Sequence, residues 1–267
     1  MHFVAARDLA TALDARAEHP DAELLAGGTD LMVEVNLSHH RPTGVIGVRA
    51  CDELMEWRDG RIGAAVTWAR LEDGSARALA QLARTIGSPQ IRAAGTMGGN
   101  VATASPAGDG LPWIAAMDGS VEVASRERGT RLIPWNEFFV GVKQTSLAGD
   151  EVITAVVTPD DAPHVQEFAK VGVRNAMVIA TVSCVVAKGA DGFRIALGAV
   201  APTPIRATRA EEMLNAEASI SDLVLEEVAR LVSAEVRPIT DHRSTESYRR
   251  HASGVLARRL VERCRAA

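Results

Sequence analysis

A glycine-rich stretch from Ile91 to Asp109 constrains the fold of this chain more than any other feature. It reads Ile-Arg-Ala-Ala-Gly-Thr-Met-Gly-Gly-Asn-Val-Ala-Thr-Ala-Ser-Pro-Ala-Gly-Asp. No apolar period of 3.6 or 2 residues runs through it, so it predicts a shaped loop and not a regular helix or strand. Glycines let the backbone approach a ligand closely and turn consecutive N–H groups towards it. The stretch is typical of a phosphate cradle, and equally of a plain turn between two buried elements.

A second glycine turn lies earlier in the chain. It reads Leu-Leu-Ala-Gly-Gly-Thr-Asp-Leu-Met from Leu24 to Met32. The apolar pair before the glycines predicts a strand, and the apolar residues after them predict a helix that the turn opens. Such a turn can present backbone N–H groups to an anion. Neither stretch fits G-x-G-x-x-G or G-x-x-x-x-G-K-[ST], so no motif favours a nicotinamide or ATP site.

Composition and charge argue against several classes of function. The chain has 267 residues and a formal net charge of −5, so it lacks the basic footprint of a nucleic-acid-binding protein. Its arginines between Thr240 and Arg250 are expected on a solvated or interdomain face. No apolar run reaches the length of about 20 residues that a membrane helix needs. The N-terminus has no signal-peptide pattern, so we expect a cytoplasmic protein.

The reactive residues form no catalytic or metal-binding pattern in the sequence. Cys51, Cys184 and Cys264 lie far apart with no C-x-x-C pair, which predicts buried free thiols. An iron–sulfur cluster needs about four thiolates, more than this chain has. No H-E-x-x-H set, Ser-His-Asp set or defined pair of carboxylates is present. These patterns predict a chain that has no catalytic side chains and no metal of its own.

Together the two glycine stretches resemble the FAD-binding subunit of the molybdenum hydroxylases, the family of xanthine dehydrogenase and aerobic carbon monoxide dehydrogenase. That family carries an Ala-Gly-Gly-Thr-Asp-Leu-type turn near its start, which residues 26–31 match. It also carries Gly-Thr-x-Gly-Gly-Asn-x-x-x-Ala-Ser-Pro-x-x-Asp, which this chain reproduces from Gly95 to Asp109. The resemblance extends over nearly the whole chain.

The resemblance implies an FAD site. Residues 26–30 and 96–100 would cradle the pyrophosphate, and Asp109 would bind ribose or ribityl hydroxyls. Ile86, Ile153 and Lys170 would flank the flavin ring. The full set of implied cofactor-binding residues is Leu25, Ala26, Gly27, Gly28, Thr29, Asp30, Leu31, Ile86, Thr96, Met97, Gly98, Gly99, Asn100, Thr103, Ser105, Asp109, Ile153 and Lys170.

Three of these residues have plain structural alternatives. Ile86 stands fourteen residues before Asn100, where the xanthine dehydrogenase branch has an aromatic side chain against the ring. An aliphatic residue keeps the contact and loses the stacking, and plain helix core is the alternative. For Ile153 the alternative is strand core. An ammonium at Lys170 near the ring would favour the negative charge of reduced flavin; a surface lysine at a strand edge is the alternative.

The resemblance also implies an α+β fold of two domains. Residues 1–163 would form an FAD-binding domain of the vanillyl-alcohol-oxidase-like (PCMH) type, with subdomains at about 1–57 and 58–163. Residues 164–267 would form a smaller α+β C-terminal domain of the CO-dehydrogenase flavoprotein type. We expect a three-stranded antiparallel sheet and helices in this second domain.

The function implied is electron transfer within a multi-subunit enzyme. A large subunit would carry the molybdenum cofactor, a small subunit would carry [2Fe–2S] clusters, and this chain would pass electrons from those clusters through FAD to an external acceptor. Relatives are often dimers of heterotrimers. Two alternatives stay open: a stand-alone FAD-dependent oxidoreductase of the same fold, and a flavin-free assembly subunit.

Overall fold

A computed structural model of the chain describes residues 2–58 and 60–266. Its first unit is a small parallel sheet in the order β1-β3-β2 with short helices around it. Asp8 begins the first helix by accepting a hydrogen bond from the Thr11 N–H at 2.7 Å. The elements of this unit are β1 (His2–Ala5), α1 (Leu9–Glu18), β2 (Glu23–Leu25), α2 (Leu31–Asn36), β3 (Gly44–Gly47) and α3 (Asp52–Met55).

The second unit is a five-stranded sheet in the order β4-β5-β10-β6-β7, and every neighbouring pair in it is antiparallel. Five helices lie between its second and third strands along the chain. The elements are β4 (Trp57–Arg58), β5 (Arg61–Gly63), α4 (Trp68–Leu71), α5 (Arg77–Thr85), α6 (Pro89–Ala94), α7 (Met97–Thr103), α8 (Gly110–Ala116), β6 (Ser120–Ser125), β7 (Gly129–Pro134), α9 (Trp135–Phe138), β8 (Phe139–Gly141), β9 (Gln144–Thr145) and β10 (Val152–Val157).

The glycine-rich stretch is not the loop that the sequence predicts. It contains most of α6 and all of α7. Ser88 caps α6 by accepting from the Ile91 N–H, and Thr96 caps α7 by accepting from the Gly99 N–H at 3.0 Å. Position 98 of α7 accepts only glycine, because a Cβ there would collide with Ala64. These two helices are stabilised by their capping residues and by close packing. Neither of these features produces a periodic apolar pattern, so the sequence does not predict the helices.

The third unit contains an antiparallel sheet in the order β11-β12-β13-β14, covered by three helices. The predicted three-stranded sheet is therefore wrong by one strand. Ile205 and Arg206 form the fourth strand by pairing with Leu197 and Ala196. A strand of two residues is too short to show a period in sequence. The elements are β11 (Val165–Val171), β12 (Val182–Gly189), β13 (Gly192–Gly198), β14 (Ile205–Arg206), α10 (Thr208–Ala216), α11 (Asp222–Glu235) and α12 (Glu246–Ala266).

Strand β12 is buried on both faces and joins two cores. Cys184 and Val186 pack into the core formed with α10, α11 and α12. Val185 and Ala187 point the other way, into the core of the second unit. Burial on both faces explains why the run from Cys184 to Ala187 is continuously apolar and does not alternate with polar residues. The mixed helix-and-strand fold expected from the sequence is confirmed.

Candidate functional site

Two glycine segments lie against each other in the structure: the first is residues 24–32 and the second is residues 91–109. A Cβ on Gly27 would overlap the carbonyl oxygen of Ala94, and one on Gly95 would lie 3.2 Å from Thr29 Oγ1. The Thr103 hydroxyl donates to Asp30 Oδ2 at 3.2 Å. Glycine at both positions is what lets the two backbones approach so closely.

The first glycine segment presents a run of backbone N–H groups that have no hydrogen-bond partner among the described residues. In the part of the chain that the structure describes, the backbone N–H groups from Gly27 to Leu31 have no protein acceptor. Gly28 has a φ of +70°, which glycine adopts without strain and which bends the chain sharply. Ala26 to Thr29 are half-buried and Asp30 is exposed, so a ligand can reach this turn. Consecutive N–H groups of this kind form an anion-binding concavity.

The second glycine segment contributes differently. The backbone N–H groups from Met97 to Asn100 are already paired: Met97 donates to Val66 O, Gly98 to Ala64 O and Asn100 to Thr96 O, at 3.0, 2.9 and 3.1 Å, and Gly99 donates to Thr96 Oγ1. The Thr96 hydroxyl is occupied as a helix cap. A Cβ on Gly99, however, would meet only Thr96 Oγ1, at 3.2 Å. This segment therefore offers a surface without side chains, and not a second set of N–H donors.

Other predicted site residues shape the segment that follows α7. Asn100 Oδ1 accepts from the Gly110 N–H at 3.2 Å, and Ser105 Oγ accepts from the Ala107 N–H at 3.4 Å. Met97 is completely buried in the core of the second unit. Asn100 and Ser105 hold the backbone between α7 and α8 through these hydrogen bonds, and Met97 anchors α7 in the core. These contacts within the chain explain the positions of the three side chains without a ligand.

Asp109 and Lys170 form a buried ion pair. Lys170 Nζ lies 2.6 Å from Asp109 Oδ2, and each side chain is only 6% exposed. Burial raises the pKa of the Asp109 carboxyl, and the Lys170 ammonium opposes that rise. Asp109 Oδ1 is buried and has no hydrogen-bond partner among the described residues. The alternative interpretation of Lys170, a surface lysine at a strand edge, is therefore wrong.

The Lys170 ammonium is fully engaged by the protein. Besides Asp109, it donates to Thr85 O at 2.9 Å and to Val178 O at 3.2 Å. An ammonium has three N–H groups, and all three are used here. Lys170 in this arrangement can act on a neighbouring group through its charge but has no N–H left to donate. Sequence reasoning missed both carbonyl partners because backbone oxygens have no residue signature.

The two isoleucines lie in different elements of the second unit, Ile86 at the end of α5 and Ile153 in β10. Ile86 directly follows Thr85 at the end of α5 and packs, partly buried, against the core of the second unit. Ile153 is 6% exposed in β10, where it faces Val123 of β6. Strand β10 packs against α7, which is part of the second glycine segment. Both positions are compatible with the core role and with a ring contact.

A cavity of about 560 Å³ opens beside Lys170, a volume within the usual range for small-molecule sites. Its walls come from α5, β11 and the segment that follows β11. Arg84 and Arg174 line it and were not predicted from sequence. The lining residues are Gln81, Arg84, Thr85, Phe168, Ala169, Lys170, Val171, Gly172, Arg174, Asn175, Ala176 and Val178.

Residues 2–58 and 60–266 contain no group of three or more His, Cys, Asp or Glu side chains that could hold a metal ion. Over the same residues, no helix combines the length and apolarity needed to cross a bilayer.

Comparison with known proteins identifies the family in both parts of the chain, the part that contains Asp109 and the part that contains Lys170. Residues 1–161 match the family described as the FAD binding domain in molybdopterin dehydrogenase. Residues 167–264 match the CO dehydrogenase flavoprotein C-terminal domain. The two matches together span nearly the whole chain.

Individual relatives agree with these matches. The chain is 31% identical over 279 residues to the xanthine dehydrogenase FAD-binding subunit of Escherichia coli O157:H7, covering 98% of this chain and 95% of that subunit. It is 30% identical over 266 residues to the carbon monoxide dehydrogenase medium chain of Afipia carboxidovorans, covering 92% and 90%. It is 33% identical over 210 residues to the nicotinate dehydrogenase FAD-subunit of Eubacterium barkeri, covering 72% and 71%.

A solved structure extends the similarity to three dimensions. The crystal structure of the cyanide-inactivated Cu,Mo-CO dehydrogenase contains a chain that superposes with a TM-score of 0.90 at 26% identity. The superposition covers 100% of this chain and 98% of that chain. The resemblance noted from the two glycine motifs is confirmed, and the chain belongs to the FAD-binding oxidoreductase subunits of the molybdenum hydroxylase family.

Proposed function

We propose that this chain is the electron-transfer subunit of a molybdenum hydroxylase, taking electrons from the [2Fe–2S] clusters of a partner subunit and passing them to an external acceptor. The FAD, when bound, supplies the chemistry of accepting electrons singly and releasing them singly or in pairs. The observation that carries the proposal is the run of unpaired N–H groups from Gly27 to Leu31, which lies against the second glycine segment.

The chain's own groups fit a diphosphate. The N–H donors from Gly27 to Leu31 would hold the anionic oxygens, because no protein acceptor among the described residues satisfies them. Gly99 would leave room for the phosphates, since a Cβ there meets only the Thr96 hydroxyl. Asp109 Oδ1 is a buried acceptor without a hydrogen-bond partner among the described residues. It would accept a hydrogen bond from a hydroxyl of the ribose or ribityl chain.

The residues implied to flank the ring would act in different ways. Ile86 and Ile153 would supply apolar contact. Lys170 would act through its charge, because its three N–H groups already bind Asp109, Thr85 and Val178. A buried positive charge favours negative charge on a neighbouring group, but Asp109 largely neutralises this one. We therefore expect Lys170 to position Asp109 more than to tune the flavin potential.

We further propose the organisation that the family resemblance implies. The FAD-binding domain would span residues 1–163, with vanillyl-alcohol-oxidase-like subdomains at about 1–57 and 58–163, and the C-terminal domain would span 164–267. Separate sheets in the three parts of the chain support this division. The partners would be a large molybdenum-cofactor subunit and a small [2Fe–2S] subunit, assembled in the cytoplasm as a dimer of heterotrimers.

The first test is the visible spectrum of the purified chain, alone and with its partners. We expect FAD to be retained or taken up, and reduced by the partner subunits in the presence of their substrate. Small reductant substrates should not reduce the flavin of the chain alone. If they do, the chain is a stand-alone FAD-dependent oxidoreductase. A colourless chain that takes up no FAD would instead be an assembly subunit.

A further inference from the structure

A buried arginine in the last helix grips two strand ends. Arg249 of α12 is 3% exposed. Its Nη1 donates to Thr181 O at 2.7 Å and to Ala199 O at 2.8 Å, and its Nη2 donates to Asp241 Oδ1 at 2.8 Å. Thr181 directly precedes β12 and Ala199 directly follows β13. Arg249 is thus buried, so it does not lie on the solvated face that the sequence offered as one of two expectations.

Thr181 and Ala199, whose carbonyl oxygens bind Arg249, also donate hydrogen bonds to segments of the candidate FAD site. The Ala199 N–H donates to Pro106 O at 2.7 Å, and Pro106 belongs to the segment that ends at Asp109. The Thr181 N–H donates to Val171 O, also at 2.7 Å, and Val171 is next to Lys170 in β11. One guanidinium therefore connects, through two short hydrogen-bond paths, to the two segments that carry the buried ion pair.

The backbone at Ala199 needs such support. Its φ is +64°, in the left-handed region that residues other than glycine rarely adopt. A strained conformation persists where the surrounding structure holds it on more than one side. Here the N–H of Ala199 is held by Pro106 and its carbonyl oxygen by Arg249.

We propose that Arg249 is a positioning residue for the FAD site, which sets the relative position of the Asp109 segment and the Lys170 strand. The inference rests on the proposed FAD binding and extends it to a residue of the C-terminal domain. A planar guanidinium suits this role because two carbonyls and a carboxylate can be bound at fixed angles at once. A lysine ammonium has no comparable fixed geometry.

The test compares FAD affinity with the stability of the apo-protein in the full chain. Arg249→Met removes the three hydrogen bonds, and Arg249→Lys keeps the charge. Arg206→Met is the matched control in the same domain. Arg206 is a mostly buried arginine that binds Glu211 at 2.6 Å and Ala115 O at 3.3 Å. We would measure the Kd for FAD by flavin fluorescence and the thermal midpoint of each apo-protein.

We expect Arg249→Met to raise the Kd for FAD at least tenfold and Arg249→Lys to raise it at least threefold. Arg206→Met should lower the thermal midpoint while leaving the Kd within twofold of wild type. Wild-type affinity in Arg249→Met would overturn the inference and leave FAD binding intact. An equal loss of affinity in Arg206→Met would also overturn it, because the effect would then be general destabilisation. If Arg249→Met does not fold, Arg249→Lys decides by the same criterion. A wild-type chain that binds no FAD would refute the proposed function itself.

Discussion

Lys170 Nζ and Asp109 Oδ2 lie 2.6 Å apart and join a strand of the third unit to the segment between α7 and α8 of the second. Both side chains are almost entirely buried, so neither charge has water as an alternative partner. A buried charge that loses its partner is far more costly than an exposed one. The pair therefore couples the C-terminal sheet to the segment that is proposed to bind FAD.

Lys170→Met should destabilise the apo-protein strongly. The substitution leaves the Asp109 carboxylate buried and unpaired, which costs about 3–5 kcal/mol in comparable proteins. We expect the free energy of unfolding, measured by urea denaturation near neutral pH, to fall by an amount in this range. The double variant Lys170→Met/Asp109→Asn should recover more than half of the loss, because no uncompensated charge remains. A double variant as unstable as the single one would contradict the ion-pair account.

Gly99→Val should abolish retention of FAD while leaving the apo-protein folded. A Cβ at Gly99 meets only Thr96 Oγ1, so the larger side chain would occupy the space proposed for the phosphates. A β-branched residue in the helix adds no large cost, since valine is a better helix former than glycine. Absorbance at the flavin band after gel filtration measures retention, and circular dichroism measures the fold.

The neighbouring glycine provides a control with the opposite outcome. A Cβ at Gly98 would collide with the backbone and side chain of Ala64, so Gly98→Val should unfold or strongly destabilise the apo-protein. The two variants therefore distinguish a glycine that faces the proposed ligand, Gly99, from a neighbouring glycine that packs against the protein core, Gly98. Full FAD retention in Gly99→Val would show that the phosphates bind elsewhere.

Glu151 should make stability depend on acid pH. Hydrogen bonds from Arg131, at 2.7 and 3.0 Å, hold the pKa of this buried carboxyl down at about 2. The folded state therefore binds fewer protons than the unfolded state, and the stabilisation is present above about pH 4.5 and lost as pH falls towards 2. Because the Arg131 side chain is half-exposed, solvent screens the ion pair, and we expect a contribution of the order of 2 kcal/mol.

The matched comparison is with Glu151→Gln. The difference in free energy of unfolding between wild type and this variant should shrink as the pH is lowered from 5.5 to 2.5. A difference that stays constant over this range would mean that the Glu151 pKa is not lowered in the folded protein.

The three cysteines should be unreactive in the folded protein. Cys51, Cys184 and Cys264 are buried free thiols, as the sequence predicts. Burial raises the pKa of Cys51 to about 11 and that of Cys264 to about 12, and also raises the pKa of Cys184. Thiolates are the reactive species, so we expect no labelling by a disulfide reagent at pH 8 and labelling of all three in guanidinium chloride. Rapid labelling of the folded chain would contradict the burial.

The sequence predicts the site's segments better than their conformation. The glycines at Gly27, Gly28 and Gly99 could be singled out because glycine is needed where backbones or ligands approach closely. The helix α7 could not, since it depends on the Thr96 cap and on packing against Ala64. Local caps of this kind override a missing apolar period.

Residues whose role depends on distant partners were the hardest to predict. Lys170 and Arg249 are charged, and charged side chains are usually exposed. Their burial follows from carbonyl oxygens at Thr85, Val178, Thr181 and Ala199, which are brought to them by the fold. Nothing in the local pattern around either residue indicates such acceptors. The short strand β14 was missed for the same reason, since its pairing with β13 is a tertiary contact.

The most direct test of this account is a crystal structure of the full chain with FAD bound. We expect oxygens of the diphosphate to lie about 2.7–3.2 Å from the backbone nitrogens between Gly27 and Leu31, and the diphosphate to pack against the Cα of Gly99. A diphosphate bound elsewhere, with those N–H groups facing solvent, would contradict it.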